Sequence, residues 1–248
     1  MSHSQRHRGA HPEDAYLFAD VQLPKVRNAL QDYCWLLSKG YSVPSSLKLV
    51  GDKFQLVDRQ RLLLMRSACT DAQRLARQGT ERPVSAIAGC DLYLDGFNVL
   101  IAVESALSHG FLFVGQDGCY RDLASVHGTY KRVLETDDAI RLIGNTLHKL
   151  QVGRVFWLLD KPVSNSGRLR QMLLETSQQN GWDWEIELFQ SPDEELKQIT
   201  GTVVTTDSVI LDSVRDWFHL NQQVVDSHIP NVQLINLRPD TLLYDSMK

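Results

Sequence analysis

Three short apolar runs in this chain each stop at an aspartate: DLYLDGFNVL at Asp95, RVFWLLD at Asp160 and GTVVTTD at Asp207. Runs of this length, rich in Val, Leu and aromatic residues and bounded by polar turns, have the pattern of buried strands. Strands laid parallel in one sheet share an edge at their carboxyl ends, where open α/β sheets take their ligands. The three carboxylates would converge there from distant positions in the chain. Carboxylates forced together repel one another, and a hard divalent cation is the simplest means of holding them.

The rest of the chain supports such a sheet only from Ser85 onward, where short apolar runs alternate with amphipathic stretches. Strands are expected near 87–95, 111–114, 153–159, 184–189, 201–205 and 232–236, and helices near 98–108, 134–151, 166–180 and 207–224. This alternation predicts an α/β fold with a doubly wound parallel sheet flanked by helices. Earlier residues read differently. Apolar positions from Ala15 to Leu37 recur at three- and four-residue spacing, predicting helix over 13–40 broken by Pro24. Gly40 and Pro44 close that segment, and KLVGDKFQL is compatible with a tight strand–turn–strand pair around Gly51-Asp52. A long helix is expected from Asp58 to Arg77, and Gly79 to Pro83 reads as a linker. An all-helical N-terminal region over 13–80 therefore precedes an α/β domain over 85–248.

Charge divides along the same boundary. Residues 1–80 hold 12 Lys+Arg against 7 Asp+Glu, a balance of +5, whereas residues 81–248 hold 14 against 23, a balance of -9. A basic helical part joined to an acidic part with a carboxylate cluster fits a nuclease with an attached gripping surface. No apolar stretch approaches the roughly 20 residues that span a bilayer, so no membrane association is expected. The opening MSHSQRHRGAHPED lacks the apolar core of a secretory signal and reads as a disordered lead-in. Four widely spaced cysteines (Cys34, Cys69, Cys90, Cys119) form no CxxC, which fits free thiols in a reducing cytoplasm.

Three segments carry the chemistry. In LDGFNVL, Gly96 would permit a sharp turn after Asp95, and Asn98 would either orient a phosphate or cap the following helix. In WLLDKPVSNSG, Ser164, Asn165 and Ser166 lead into a helix and would offer donors to a phosphate, or simply start the helix; the spacing is not that of a P-loop. In VVTTDSVILDS, Thr206 precedes Asp207, itself a candidate N-cap, and Asp212 is a second-tier metal ligand. For a fourth acid Asp122 is favoured over Glu104. It lies in a polar stretch with Arg121, His127, Tyr130, Lys131 and Arg132 that suits backbone phosphates.

DGFNVL followed by a late TTD resembles the PIN-like nuclease superfamily, especially its NYN-related branch, in which the first strand ends in Asp-Gly-Tyr/Phe-Asn. The likeness covers roughly residues 85–240. The whole chain also resembles a prokaryotic family that joins a helical region to a PIN-like domain. The resemblance implies a metal-dependent endoribonuclease using Mg²⁺ or Mn²⁺, with RNA a more fitting substrate than DNA and a homodimer plausible. By position it implies Asp95 as the first-strand acid, Asn98 as the following amide, Asp160 as the mid-domain acid and Asp207 as the late acid. Asp160 departs from the common pattern by preceding a Pro-Val-Ser-Asn-Ser-Gly loop. Two other readings stand beside this one. One is a non-catalytic PIN-like RNA-binding or scaffold protein. The other is a haloacid-dehalogenase-type phosphotransferase, which Phe97 opposes by standing where that chemistry needs a second acid.

Overall fold

The computed structural model describes residues 7–8, 11–124 and 128–238. Five helices come first: α1 (Asp14–Leu17), α2 (Leu23–Ser38), α3 (Val43–Lys53), α4 (Asp58–Ser67) and α5 (Asp71–Thr80). Then follow β1 (Leu92–Asp95), α6 (Gly96–Leu107), β2 (Phe111–Val114), β3 (Tyr120–Arg121), α7 (Thr136–Lys149), β4 (Val155–Asp160), α8 (Ser166–Asn180) and β5 (Trp184–Phe189). The order closes with α9 (Pro192–Leu196), β6 (Thr202–Val204), α10 (Ser208–Leu211), α11 (Leu220–His228) and β7 (Gln233–Asn236).

The α/β expectation holds, with a parallel sheet of order β5-β4-β1-β6. Side chains alternate across it with period two. Leu92, Leu94, Trp157, Leu159 and Ile186 face one core together with α6, α7, α8 and α11. Leu158 and Val203, with Tyr93 and Phe156 beside them, face the other side, covered by Leu196, Ile210 and Trp217. A single sheet is not what forms. The run at 111–114 and the last strand pair parallel with each other, and β3 pairs antiparallel to β2, giving a second sheet of order β3-β2-β7.

The helices of the N-terminal region pack on that second sheet. Phe113, Leu123, Ile235 and Leu237 are buried in one cluster with Phe18, Leu30, Leu63 and Leu64. Phe18 meets the Phe113 ring edge-on at 5.0 Å and that of Phe111 at 5.9 Å.

Local expectations are corrected at five places. KLVGDK forms the end of helix α3 and Phe54 caps it, so no strand pair forms; Ser42 caps its start, Pro44 sits in its first turn, and the Arg61 guanidinium lies 2.2 Å from where a Gly51 Cβ would stand. The helix expected over 58–77 is two, because Thr70 and Gln73 form a capping box that starts α5 afresh. The helix expected over 207–224 is also two. Between α10 and α11 the chain runs extended beside β6, with Val203 N–H donating to the Asp216 carbonyl and Phe218 N–H to the Val203 carbonyl. The linker expected at 79–83 is tied to this strap, since Trp217 N–H donates to the Thr80 carbonyl and Arg82 N–H to the Trp217 carbonyl. Finally, Gly96 makes no left-handed turn. A Cβ there would meet Leu159 Cδ2 at 2.5 Å and the Leu158 carbonyl at 2.9 Å, so the glycine permits close passage of α6 over β4.

All four cysteines are free. Among the described residues no helix is long and apolar enough to cross a membrane.

Because the helices share a core with β2 and β7, truncating Phe18 should weaken both parts together. Phe18→Ala is expected to cost about 3–5 kcal/mol and to lower a single cooperative unfolding transition followed by circular dichroism. An early transition confined to helix signal would show instead that the helical region unfolds by itself.

Candidate functional site

Strand register places the acids. Asp95 ends β1 opposite Leu158, so Asp160 extends two residues further along β4. Leu94 pairs with Val204 on the other side, which sets Thr205 level with Asp95. The Thr205 hydroxyl accordingly donates to Asp95 Oδ2 at 2.7 Å. Asp207 follows two residues on, and its backbone N–H donates back to Thr205 Oγ1 at 3.0 Å. A fourth acid, Asp193, stands in the first turn of α9, four residues beyond the end of β5.

The carboxyls of Asp95, Asp160 and Asp193 are raised, each by burial first and then by neighbouring negative charge. Asp95 is 8% exposed. Burial first, and then the charges of Asp193, Asp207 and Asp160, push its carboxyl up to about 7 against the restraint of the Thr205 bond. Asp160 is raised by partial burial and by Asp193, and Asp193 by desolvation and by Asp207. The sheet edge thus gathers negative charge from four separate elements, with the most buried member at its centre.

The expected residues at this edge take distinct roles. Asp95 occupies the N-cap position of α6 without its carboxylate capping the helix. Asn98 does not cap α6 either: its Oδ1 accepts from Thr206 N–H at 2.9 Å and from Thr206 Oγ1 at 3.0 Å. Since a backbone N–H only donates, Oδ1 must face Thr206, and Nδ2 is left directed elsewhere. Asp207 does cap, accepting through Oδ1 from Val209 N–H at 2.8 Å and Ile210 N–H at 3.2 Å. Among the described residues its other oxygen takes no hydrogen bond.

Asn98, Thr206 and Asp207 also line a cleft of about 630 Å³. Phe97, Ile101 and Val209 give it apolar surface, while Met65 and Arg66 of α4 form a wall supplied by the helical region. Asp122 lies in the same cleft, its Oδ1 3.5 Å from Arg66 Nη1 and bonded by Ala124 N–H at 2.7 Å. It is not among the charges that press on Asp95.

Other candidates are placed elsewhere. Asp212 is held by Arg77 Nε at 2.7 Å and Gln73 Nε2 at 2.7 Å, in a structural ion cluster. The Ser164–Ser166 turn is pinned to the 128–130 segment: Ser164 N–H donates to the Gly128 carbonyl, and Asn165 Nδ2 to the Tyr130 carbonyl at 2.8 Å. Ser166 is buried there, and none of the three lines the cleft. Glu104 is fully buried among Tyr130, Thr136 and Arg8, bonded at 2.6, 2.5 and 2.8 Å. His127 lies outside the described residues.

Sequence reasoning missed Asp193. Its signal was the acid of SPDEEL at a helix start just after the strand WEIELF. Pro192 stands between strand and acid, which removed it from the simple rule of an aspartate closing an apolar run.

Asp95, Asp160, Asp193 and Asp207 offer only oxygen donors, the set that suits a hard cation such as Mg²⁺ or Mn²⁺. As they stand, no group of three or more His, Cys, Asp or Glu side chains among the described residues is in metal-holding geometry.

Residues 84–223 match a domain of unknown function, DUF5616, and residues 25–79 match a protein family of unknown function, DUF434. The chain is 30% identical over 188 residues to the uncharacterized protein MJ0935 of Methanocaldococcus jannaschii, covering 76% of this chain and 89% of that protein. No solved structure matches.

The raised Asp95 carboxyl has a cost in stability. Its ordinary value is 3.8 and its folded value about 7, so between these the folded chain keeps a proton that the unfolded chain has released. Stability from this group is therefore greatest at low pH, falls as pH rises from about 4 to about 7, and is level above. At about 1.4 kcal/mol per pKa unit the loss is on the order of 2–4 kcal/mol. Asp95→Asn, which cannot ionise, should melt higher than the wild type at pH 8 without divalent ions, with an advantage that widens from pH 4 to pH 7. An advantage independent of pH, measured by calorimetry, would reject the assignment.

Proposed function

We propose that this chain, which belongs to the DUF5616 family, is a divalent-metal-dependent nuclease with a PIN-like active site that hydrolyses phosphodiester bonds of RNA. One observation carries the reading: Asp95, Asp160, Asp193 and Asp207, from four elements, gather at the carboxyl edge of a parallel sheet, where the last three repel the buried Asp95 and Asp207 lines an open cleft. Such mutual repulsion is held in a folded protein for a purpose, and relief by a cation is the simplest one.

Asp95, Asp160, Asp193 and Asp207 would hold Mg²⁺ or Mn²⁺. A bound divalent ion of this kind supplies Lewis acidity towards a phosphoryl oxygen and makes water a better nucleophile. The chain's own residues do the rest. Asp207 is preorganised by its two backbone donors, and Thr205 keeps Asp95 Oδ2 in place while leaving Oδ1 for the site. Asn98, locked by Thr206, would turn its Nδ2 to a non-bridging phosphate oxygen. The Arg66 guanidinium brings positive charge to the cleft wall, and Phe97, Ile101 and Val209 give a base or ribose an apolar surface to lie on. The sequence resemblance supports RNA over DNA and is compatible with a homodimer, and the free thiols support a cytoplasmic setting.

The absence of a metal-holding group among the described residues favours a second reading, a non-catalytic RNA-binding or scaffold protein. The two separate in one assay. Wild-type and Asp95→Asn protein would be incubated with labelled single-stranded and structured RNA in Mn²⁺, Mg²⁺ or EDTA, with Mn²⁺ binding followed by calorimetry. The nuclease reading expects cleavage that needs metal and is lost in the variant. RNA binding without cleavage and without metal uptake would establish the scaffold instead.

A further inference from the structure

Asp207 is gripped from both sides by one buried ion cluster. The Thr206 carbonyl accepts from Arg121 Nε at 2.8 Å, and the Ser208 carbonyl accepts from Arg77 Nη2 at 3.2 Å. The first carbonyl belongs to the peptide that enters Asp207; the second belongs to the Ser208–Val209 peptide, whose N–H is the Val209 donor to Asp207 Oδ1. Both guanidiniums are anchored on Asp117, which receives Arg121 Nη1 and Nη2 at 2.7 Å each and Arg77 Nη1 at 2.5 Å. Arg77 Nε is bonded to Asp212 at 2.7 Å, so the set of two guanidiniums and two carboxylates is neutral. Arg77 and Asp117 are each 1% exposed in their side chains, which leaves neither group a solvent partner to exchange for these bonds. A planar fork that spends three nitrogens on three different acceptors holds them at fixed spacing, as a lysine cannot.

Arg77 lies in α5, outside the domain that carries the acids. We infer that Arg77 is a positioning residue for the active site: through the Ser208 carbonyl it sets the turn that presents Asp207 to the cleft, so the helical region completes the site of the α/β region. The inference deepens the nuclease reading and rests on it for its catalytic consequence. Arg77 does not line the cleft, so its loss reaches the site through the turn at Asp207, on metal affinity and turnover and not on substrate capture.

The test uses the full chain with the charge-balanced double variant Arg77→Met/Asp212→Asn, which keeps the Asp117–Arg121 pair, and with Arg77→Lys, which keeps the charge and loses the fork. Unfolding by circular dichroism establishes that each variant is folded; if the double variant is not, Arg77→Lys carries the test. Amide hydrogen exchange at Val209 and Ile210, the two donors to Asp207, reads the turn directly, with β1 and β4 amides as reference. The expected result is faster exchange at Val209 and Ile210 alone, Mn²⁺ affinity and kcat reduced by about 10- to 100-fold, and KM for RNA unchanged. A folded variant with wild-type exchange at both amides overturns the inference, as does faster exchange with unchanged Mn²⁺ affinity and kcat. A wild-type protein that neither takes up Mn²⁺ nor cuts RNA removes the nuclease reading alone, and exchange then decides whether Arg77 holds Asp207.

Discussion

Asp117 is a carboxylate with almost no contact with water, and two arginines make its burial possible. Burial by itself would raise it, but the Arg121 and Arg77 guanidiniums override this and hold it well below the usual carboxylate range. A buried charge left unbalanced is strongly destabilising, so the cluster is held as a neutral set and not as separate charges. The turn between β2 and β3 is shaped for the purpose. A Cβ on Gly115 would lie 2.6 Å from Arg121 Nη1 and 3.0 Å from Asp117 Oδ1, so glycine is the residue that lets the pair form. Cys119 N–H completes the shell of Asp117 at 3.2 Å. From this point bonds run outward to α5, to β3 and to the turn after β6, the three elements that meet behind the cleft.

The opposite condition holds at Asp95. Its carboxylate is as buried as Asp117 but faces other acids where Asp117 faces cations, so the first is raised and the second lowered by the same physics. The Thr205 hydroxyl supports it, and strand register puts that hydroxyl there. A fold that satisfies one acid completely and leaves another pressed by its neighbours separates structure from chemistry within one molecule. Tension of this kind fits the proposed metal site, which would hold it at the expense of stability.

The α/β class and the rims of three strands were legible because apolar runs ending in Asp95, Asp160 and Asp207 are local signals. Asn98 and Thr206 were legible as residues and not as a pair, since their bond depends on which strand neighbours β1. Asp193 was lost behind Pro192. Asp212 carried the same carboxylate signal as the others, and only tertiary contact with Arg77 and Gln73 shows what it is spent on. The Ser164–Ser166 turn looked like a phosphate cradle in sequence because small polar residues at a helix start are common to cradles and to turns; bonds to 128–130 show a turn. The break between α4 and α5 was readable from Thr70 and Gln73. The extended stretch at 216–218 was not, because Trp217 and Phe218 fit a helical period equally well.

The strap at Trp217 gives the joint between the helical and α/β regions a further meaning. Thr80 and Arg82 are hydrogen-bonded to Trp217, and the Trp217 indole N–H reaches the Arg77 carbonyl at 2.8 Å, so the two regions stay joined on either side of the peptide at Pro83. The shared core on β2 and β7 adds a second attachment far from it. Covalent continuity across 83–84 is therefore backed by bonds at the joint and by apolar packing on β2 and β7. Sliding or hinging of one region against the other would have to break the strap and part that core at the same time, so the acids and the helical wall of the cleft move as one body.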